Sequence, residues 1–226
     1  MPDLDARLRA LSDPEYRRFN ESLIPGNDGR SFGVRMRDLR KLAREILKGD
    51  WRKFLREAPA QMHEHLLLQC LVSAMAPCSL EEKLEYVAAL LPKIENWAQC
   101  DCLCSALKDA KKDPERVYEF LYPYLASSRV YEIRFGVVML LNYFRTDVYI
   151  DHVLMWLKNI RNEDYYVQMA ISWALSFCFI SHREKTLALL KEKSLRPWIQ
   201  NKAIQKCGES YRVSKEDKEL LKELRI

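Results

Sequence analysis

The chain has 226 residues, 48% hydrophobic and 11% aromatic, ample for one sizeable core. Its 37 Lys/Arg against 32 Asp/Glu leave a net +5, unevenly spread: +4 over residues 1–60, −4 over 61–180 and +5 over 181–226. Basic ends around an acidic middle suit a protein that grips a polyanion at its flanks, although ordinary solvated faces fit the same numbers. The longest apolar segment, Met169–Ile180, is too short to span a bilayer, and the amino terminus shows no signal-peptide pattern, so the expectation is a cytoplasmic protein without membrane association. Seven cysteines, odd in number and without a C-x-x-C pair, read as reduced thiols, and no metal or cofactor is expected.

Almost every segment reads as helix. Asp13–Pro14 is an N-cap followed by Pro at the first helical position, opening a helix to about Leu23. Residues 24–33, with Pro25, Gly26, Asn27, Asp28 and Gly29, read as a loop that lacks the G-K-[ST] ending of a phosphate-binding loop. Over about Val34–Lys48 the apolar residues Met36, Leu39, Ala43, Ile46 and Leu47 turn inward, while Arg37, Arg40, Lys41 and Arg44 share the other side. That basic stripe is either a solvated face or, with Arg30, Arg35, Arg52, Lys53 and Arg56 nearby, a phosphate grip.

Asp50 caps a short helix ending before Pro59, and another helix spans about Glu64–Ala76. His63-Glu64-His65 lacks the i, i+4 spacing of a helical metal pair and reads as a solvated loop or helix start. Ser79-Leu80-Glu81-Glu82 is a capping box opening a helix to Leu91. Asn96 caps a helix running to about Lys111, in which Cys100, Leu103, Cys104, Leu107 and Ala110 form a buried stripe while Cys102 points away. Trp97 and Asp101, four residues apart, share a face beside that stripe. Either Trp97 is core and Asp101 an acid favoured by the helix dipole, or indole and carboxylate together face a cationic ligand.

Further helices cover about Pro114–Ala126, Tyr131–Arg145, Val148–Ile160 and Tyr165–Ile180, with Arg134 at the rim of a buried face and Tyr166, Ala170, Trp173 and Phe177 on one side. Ser181-His182-Arg183-Glu184 reads as a second capping box, and two last helices, about Arg196–Glu209 and Lys215–Leu224, bring Lys202, Lys206 and Arg212. No segment alternates with period two, so the expected fold is all-α. Helix pairs recurring about every 35–45 residues point to an α-solenoid of HEAT-like repeats, a single curved domain over 1–226 with a concave, basic-rimmed surface.

Four stretches carry a family resemblance: Ser31-Phe32-Gly33-Val34-Arg35, Asn96-Trp97-Ala98-Gln99-Cys100-Asp101, Ile133-Arg134-Phe135, and Gln168-Met169-Ala170-Ile171-Ser172-Trp173-Ala174-Leu175. In this order the chain resembles the AlkD-type DNA alkylation repair proteins, HEAT-like-repeat DNA glycosylases, over essentially its whole length. The resemblance implies that Asp101 is the catalytic aspartate, that Trp97 and Trp173 cradle the damaged nucleotide, and that Arg134 lies on the phosphate side. Arg35 and Lys202 join these as expected DNA contacts. It further implies cleavage of the N-glycosidic bond of N7- or N3-alkylated purines in duplex DNA, engaged from the backbone side without a tight base pocket, and no obligate protein partner. Three positions depart from the best-known members: Asn96 replaces a second Trp, Ala98 an acid, and Arg35 a Gln. The family also holds members without glycosylase activity, so a helical-repeat module that binds DNA structures or a protein is the alternative.

Overall fold

The computed structural model describes residues 4–24 and 29–226; the Pro25–Asp28 part of the expected loop lies outside the described residues. The chain folds as two compact units, residues 1–109 and 110–226. In the first unit the helices are α1 (Leu4–Ala10), α2 (Pro14–Leu23), α3 (Met36–Leu47), α4 (Trp51–Glu57), α5 (His63–Met75), α6 (Leu80–Leu90) and α7 (Trp97–Ala106). In the second they are α8 (Pro114–Leu125), α9 (Val130–Tyr143), α10 (Ile150–Asn159), α11 (Tyr165–Ser181), α12 (Arg183–Lys191), α13 (Pro197–Glu209) and α14 (Lys215–Lys222). Among the described residues the only β pairing is an isolated bridge between Ser12 and Val34, so the fold is all-α.

Local chemistry sets most of these boundaries. Asp13, Asp50, Ser79, Asn96 and Asp113 each accept a backbone N–H from the first turn of the helix they precede. The second capping box is not formed. Ser181 instead completes α11, its hydroxyl donating to the Phe177 and Cys178 carbonyls, and His182 precedes α12 without a side-chain cap. Helix α7 stops at Ala106, short of the expected Lys111, and the chain tightens into a 3₁₀ turn over Lys108–Lys111. That turn keeps Leu107 and Ala110 in the core and brings the Asp109 carboxylate 2.5 Å from the buried Lys83 ammonium.

In the first unit α5 packs against α3, α4, α6 and α7, and its residues His63–Ala74 are all buried. The second unit repeats the plan: α11 packs against α9, α10, α12 and α13. Helices α7, α9, α11 and α13 begin at residues 97, 130, 165 and 197. The same step recurs in the ion pairs of the second unit, where Asp151–Lys185, Lys158–Glu192, Glu163–Arg196 and Arg183–Asp217 each join like positions of successive helix pairs. Exposed pairs of this kind add only ~0.2–1 kcal/mol each, so they record the repeat more than they hold it. Stability comes from burying the facing helices, at about 1.5–3 kcal/mol for each fully buried large apolar side chain. All seven cysteines are free thiols, and burial pushes Cys102, Cys178 and Cys207 up to about 12. Cys102, about 200° round the helix from Cys100, is buried as Cys100 and Cys104 are. Among the described residues no helix is long and apolar enough to cross a membrane.

Candidate functional site

Helix α7 is buried on every side but one. Gln99, Cys100, Cys102, Leu103, Cys104 and Ala106 are inside, whereas Trp97, Ala98, Asp101 and Ser105 form a half-buried to exposed stripe. Trp97 and Asp101 thus share the one face of this helix that solvent or a ligand reaches. The indole N–H donates to the Leu23 carbonyl at the end of α2, 3.3 Å away, which fixes the ring against the helix edge.

The start of α7 is anchored from below by the start of α5. Asn96 Oδ1 accepts the Gln99 N–H (3.1 Å), and Gln99 Oε1 accepts the Glu95 N–H (2.9 Å). Both amide oxygens being engaged, both NH₂ groups turn to His63 Nδ1, at 3.4 and 3.3 Å. That nitrogen must accept, so His63 is the neutral tautomer with its proton on Nε2, an atom buried without a hydrogen-bond partner. Burial pushes the imidazole below its usual value; the charge of Glu64 opposes this, that of Arg30 adds to it and that of Glu95 opposes it. Arg30 and Glu95 pair at 3.1 Å across the same junction.

Glu64, the next residue, organises the loop that leads into α3. Its carboxylate, 1% exposed, accepts from Ser31 Oγ (2.9 Å) and from the backbone N–H of Phe32 (3.0 Å), Gly33 (2.8 Å) and Val34 (3.1 Å). Four charge-assisted donors satisfy a buried carboxylate that would otherwise be costly. Gly33 is required there: its φ is +77°, and a Cβ would sit 2.7 Å from the Asp13 carbonyl oxygen. The expected solvated His63-Glu64-His65 segment is therefore a helix start, but a fully buried one. The clue in the sequence was a loop whose consecutive N–H groups had no strand to pair with, followed by an acid at the head of an apolar helix.

Arg35, leaving that loop, is exposed; it binds the Asp13 carboxylate at 2.7 Å and lies 5.0 Å over the Tyr16 ring. A cleft of about 460 Å³ in this unit is lined by Leu4, Ile46, Lys53 and Phe54 among others, but not by Arg35, Trp97 or Asp101.

In the second unit α11 lies between α9 and α13, and its accessible stripe is mostly aromatic: Tyr166, Trp173 and Phe177, with Met169 and Ile180. The rings of Trp173 and Phe177 meet edge to face at 6.0 Å. Arg134 is not at a rim. It is 5% exposed, because α9 is buried from Ile133 to Leu141 between α8 and α11, and its guanidinium donates to the Tyr166 carbonyl at 2.9 Å. A helix apolar all round has no rim to offer. Lys202, half-buried on α13, donates to Gln205 Oε1 (2.9 Å) and lies 5.9 Å from the Trp198 ring. Burial holds the Lys206 ammonium below its usual value; Glu209 opposes this, and the charges of Lys202 and Arg134 reinforce it, so three cations crowd beside α11.

Trp97 and Asp101 are thus brought together on one face, with Arg35 elsewhere in the same unit, while Arg134, Trp173 and Lys202 belong to the second unit. No curated protein matches the chain. The model of one protein family, described as DNA alkylation repair enzyme, matches residues 4–207. With nearly its whole length matched, the chain belongs to the DNA alkylation repair enzyme family.

Proposed function

We propose that this DNA repair protein is a DNA glycosylase that hydrolyses the N-glycosidic bond of cationic N7- or N3-alkylated purines in duplex DNA. The observation that carries the reading is the Trp97–Asp101 stripe: a carboxylate and an indole on the sole accessible face of a helix whose start is locked by His63, Asn96 and Gln99.

Alkylation at N7 or N3 leaves the purine positively charged. When the C1′–N bond breaks, its electron pair goes to the base, which departs neutral, and the sugar becomes oxocarbenium-like. Ionised Asp101 stabilises that developing charge and orients water for attack at C1′; the water proton passes to solvent. A carboxylate held in place before the reaction needs no reorganisation as charge develops. The Trp97 ring face attracts the same cation. Because the leaving base is already cationic, no general acid is required. Trp173, Arg134, Arg35 and Lys202 are proposed as DNA contacts, each from its own unit, with Arg134 also bracing Tyr166.

The test is release of base from DNA carrying N7-methylguanine. The wild-type protein is expected to release it. If it releases none under single-turnover conditions, the enzyme reading fails and a DNA-binding module remains; if Asp101→Asn is as fast as wild type, the enzyme stands without this site.

A further inference from the structure

Phe177, one turn beyond Trp173 on α11, has two guanidinium groups over its ring: that of Arg145, 5.1 Å from the centroid, and that of Arg212, 5.0 Å from it. Arg145 follows the end of α9 and is held by neutral acceptors only. Its Nε donates to the Leu141 carbonyl (2.6 Å), and its Nη1 to the Phe177 carbonyl and Ser181 Oγ (both 3.3 Å). Arg212 follows α13 and is exposed. Among the described residues neither forms an ion pair with a carboxylate. Of the acids near them in sequence, Asp147 pairs with His182 at 3.1 Å, Asp217 pairs with Arg183, and Glu209 accepts from Gln205 Nε2 at 2.8 Å. Burial and the charge of Arg212 both press on the Arg145 guanidinium.

Two like charges over one ring, without an acid between them, repel each other unless an anion joins them. Guanidinium forks match the paired oxygens of a phosphate, and the ring face keeps both cations in place while the site is empty. We propose that Arg145 and Arg212 form a clamp for a backbone phosphate of a DNA strand, next to Trp173 on the accessible stripe of α11. The inference takes DNA as ligand from the proposed function; it does not depend on chemistry at Asp101.

The experiment is equilibrium binding of an undamaged duplex across a salt series, on the full chain. Arg212→Gln, at an exposed position, is expected to weaken binding roughly ten-fold and to flatten the slope of log K against log salt by about 0.9, the value for one lost phosphate contact. Arg145→Lys, which keeps the charge but not the fork, should weaken binding and leave the slope alone. Lys191→Gln, at an exposed cation at the end of α12 that lies by the start of α13 and so away from Arg212, should change neither. A wild-type slope and affinity in Arg212→Gln, with an unchanged melting temperature, would overturn the clamp. So would a site for the free anion alone, in which inorganic phosphate raises the melting temperature of the wild type but not of Arg212→Gln while duplex binding is identical. A wild type that binds DNA with the expected slope yet releases no base would remove the glycosylase reading and leave the clamp standing.

Discussion

In α7 the accessible stripe sets an acid beside an indole, whereas in α11 it carries aromatics, Met169 and Ile180, with two guanidinium groups over the Phe177 ring. Both helices are largely buried, α7 packing on α5 and α11 on α9, α10, α12 and α13. The contrast extends to whole units: residues 1–109 hold 17 Lys/Arg and 17 Asp/Glu, while residues 110–226 hold 20 against 15. On the proposed function the same helical frame serves two tasks. A reacting sugar cation calls for fixed negative charge at one point, and a polyanionic strand calls for positive charge spread over a surface.

The sharpest way to break this comparison is Asp101→Asn. It preserves shape and removes the charge, and excision is expected to fall at least ~100-fold, the scale of losing one preorganised electrostatic group. Next is Glu64→Ala, which strips the acceptor from three buried backbone N–H groups and from Ser31. A loss of about 2–3 kcal/mol in denaturant unfolding is expected, with Glu64→Gln retaining part of it. A stability equal to wild type in Glu64→Ala would mean that the loop is held by something else.

Smaller effects belong to the rings. Trp97→Ala or Trp173→Ala should each slow excision less than Asp101→Asn, since one cation–π face contributes ~0.5–2 kcal/mol. Single-turnover rates separate the two: α7 predicts that Trp97→Ala lowers the saturated rate, and α11 predicts that Trp173→Ala chiefly weakens binding.

The smallest effect is a pH dependence. The His63 imidazole is pushed below its ordinary 6.5 in the folded state, chiefly by burial. Unfolding therefore takes up a proton once the pH falls below about 6.5. The stability that neutral His63 contributes is present above that value and is lost as the pH drops towards the folded-state value, at up to ~1.4 kcal/mol per pH unit. Unfolding curves of wild type and His63→Asn, which keeps an acceptor near the Nδ1 position but does not titrate, should diverge only in that window. Parallel curves throughout would show that His63 does not titrate between the two states.

Helix existence and most starts were legible because caps act locally: Asp13, Asp50, Ser79, Asn96 and Asp113 are read from a few neighbouring residues. Period alone placed Trp97 and Asp101 on one face beside a buried stripe. What the chain order hid was burial imposed from a distance. Arg134 is enclosed by helices on two sides, and Glu64 is sealed by a loop some thirty residues earlier. Helix α1 went unread because seven residues with two buried leucines give little period to detect. Ser181 shows the converse, a capping signal overridden when its hydroxyl found carbonyls on the helix it ends.

The most direct test measures two quantities on one substrate, a duplex bearing N7-methylguanine: the saturated single-turnover rate of base release and the dissociation constant. For Asp101→Asn the account predicts a rate at least ~100-fold below wild type with affinity nearly unchanged, because phosphate contacts dominate binding. A variant that binds much more weakly yet releases base at the wild-type rate once saturated would contradict it, placing Asp101 among the groups that hold DNA and leaving the chemistry to another residue.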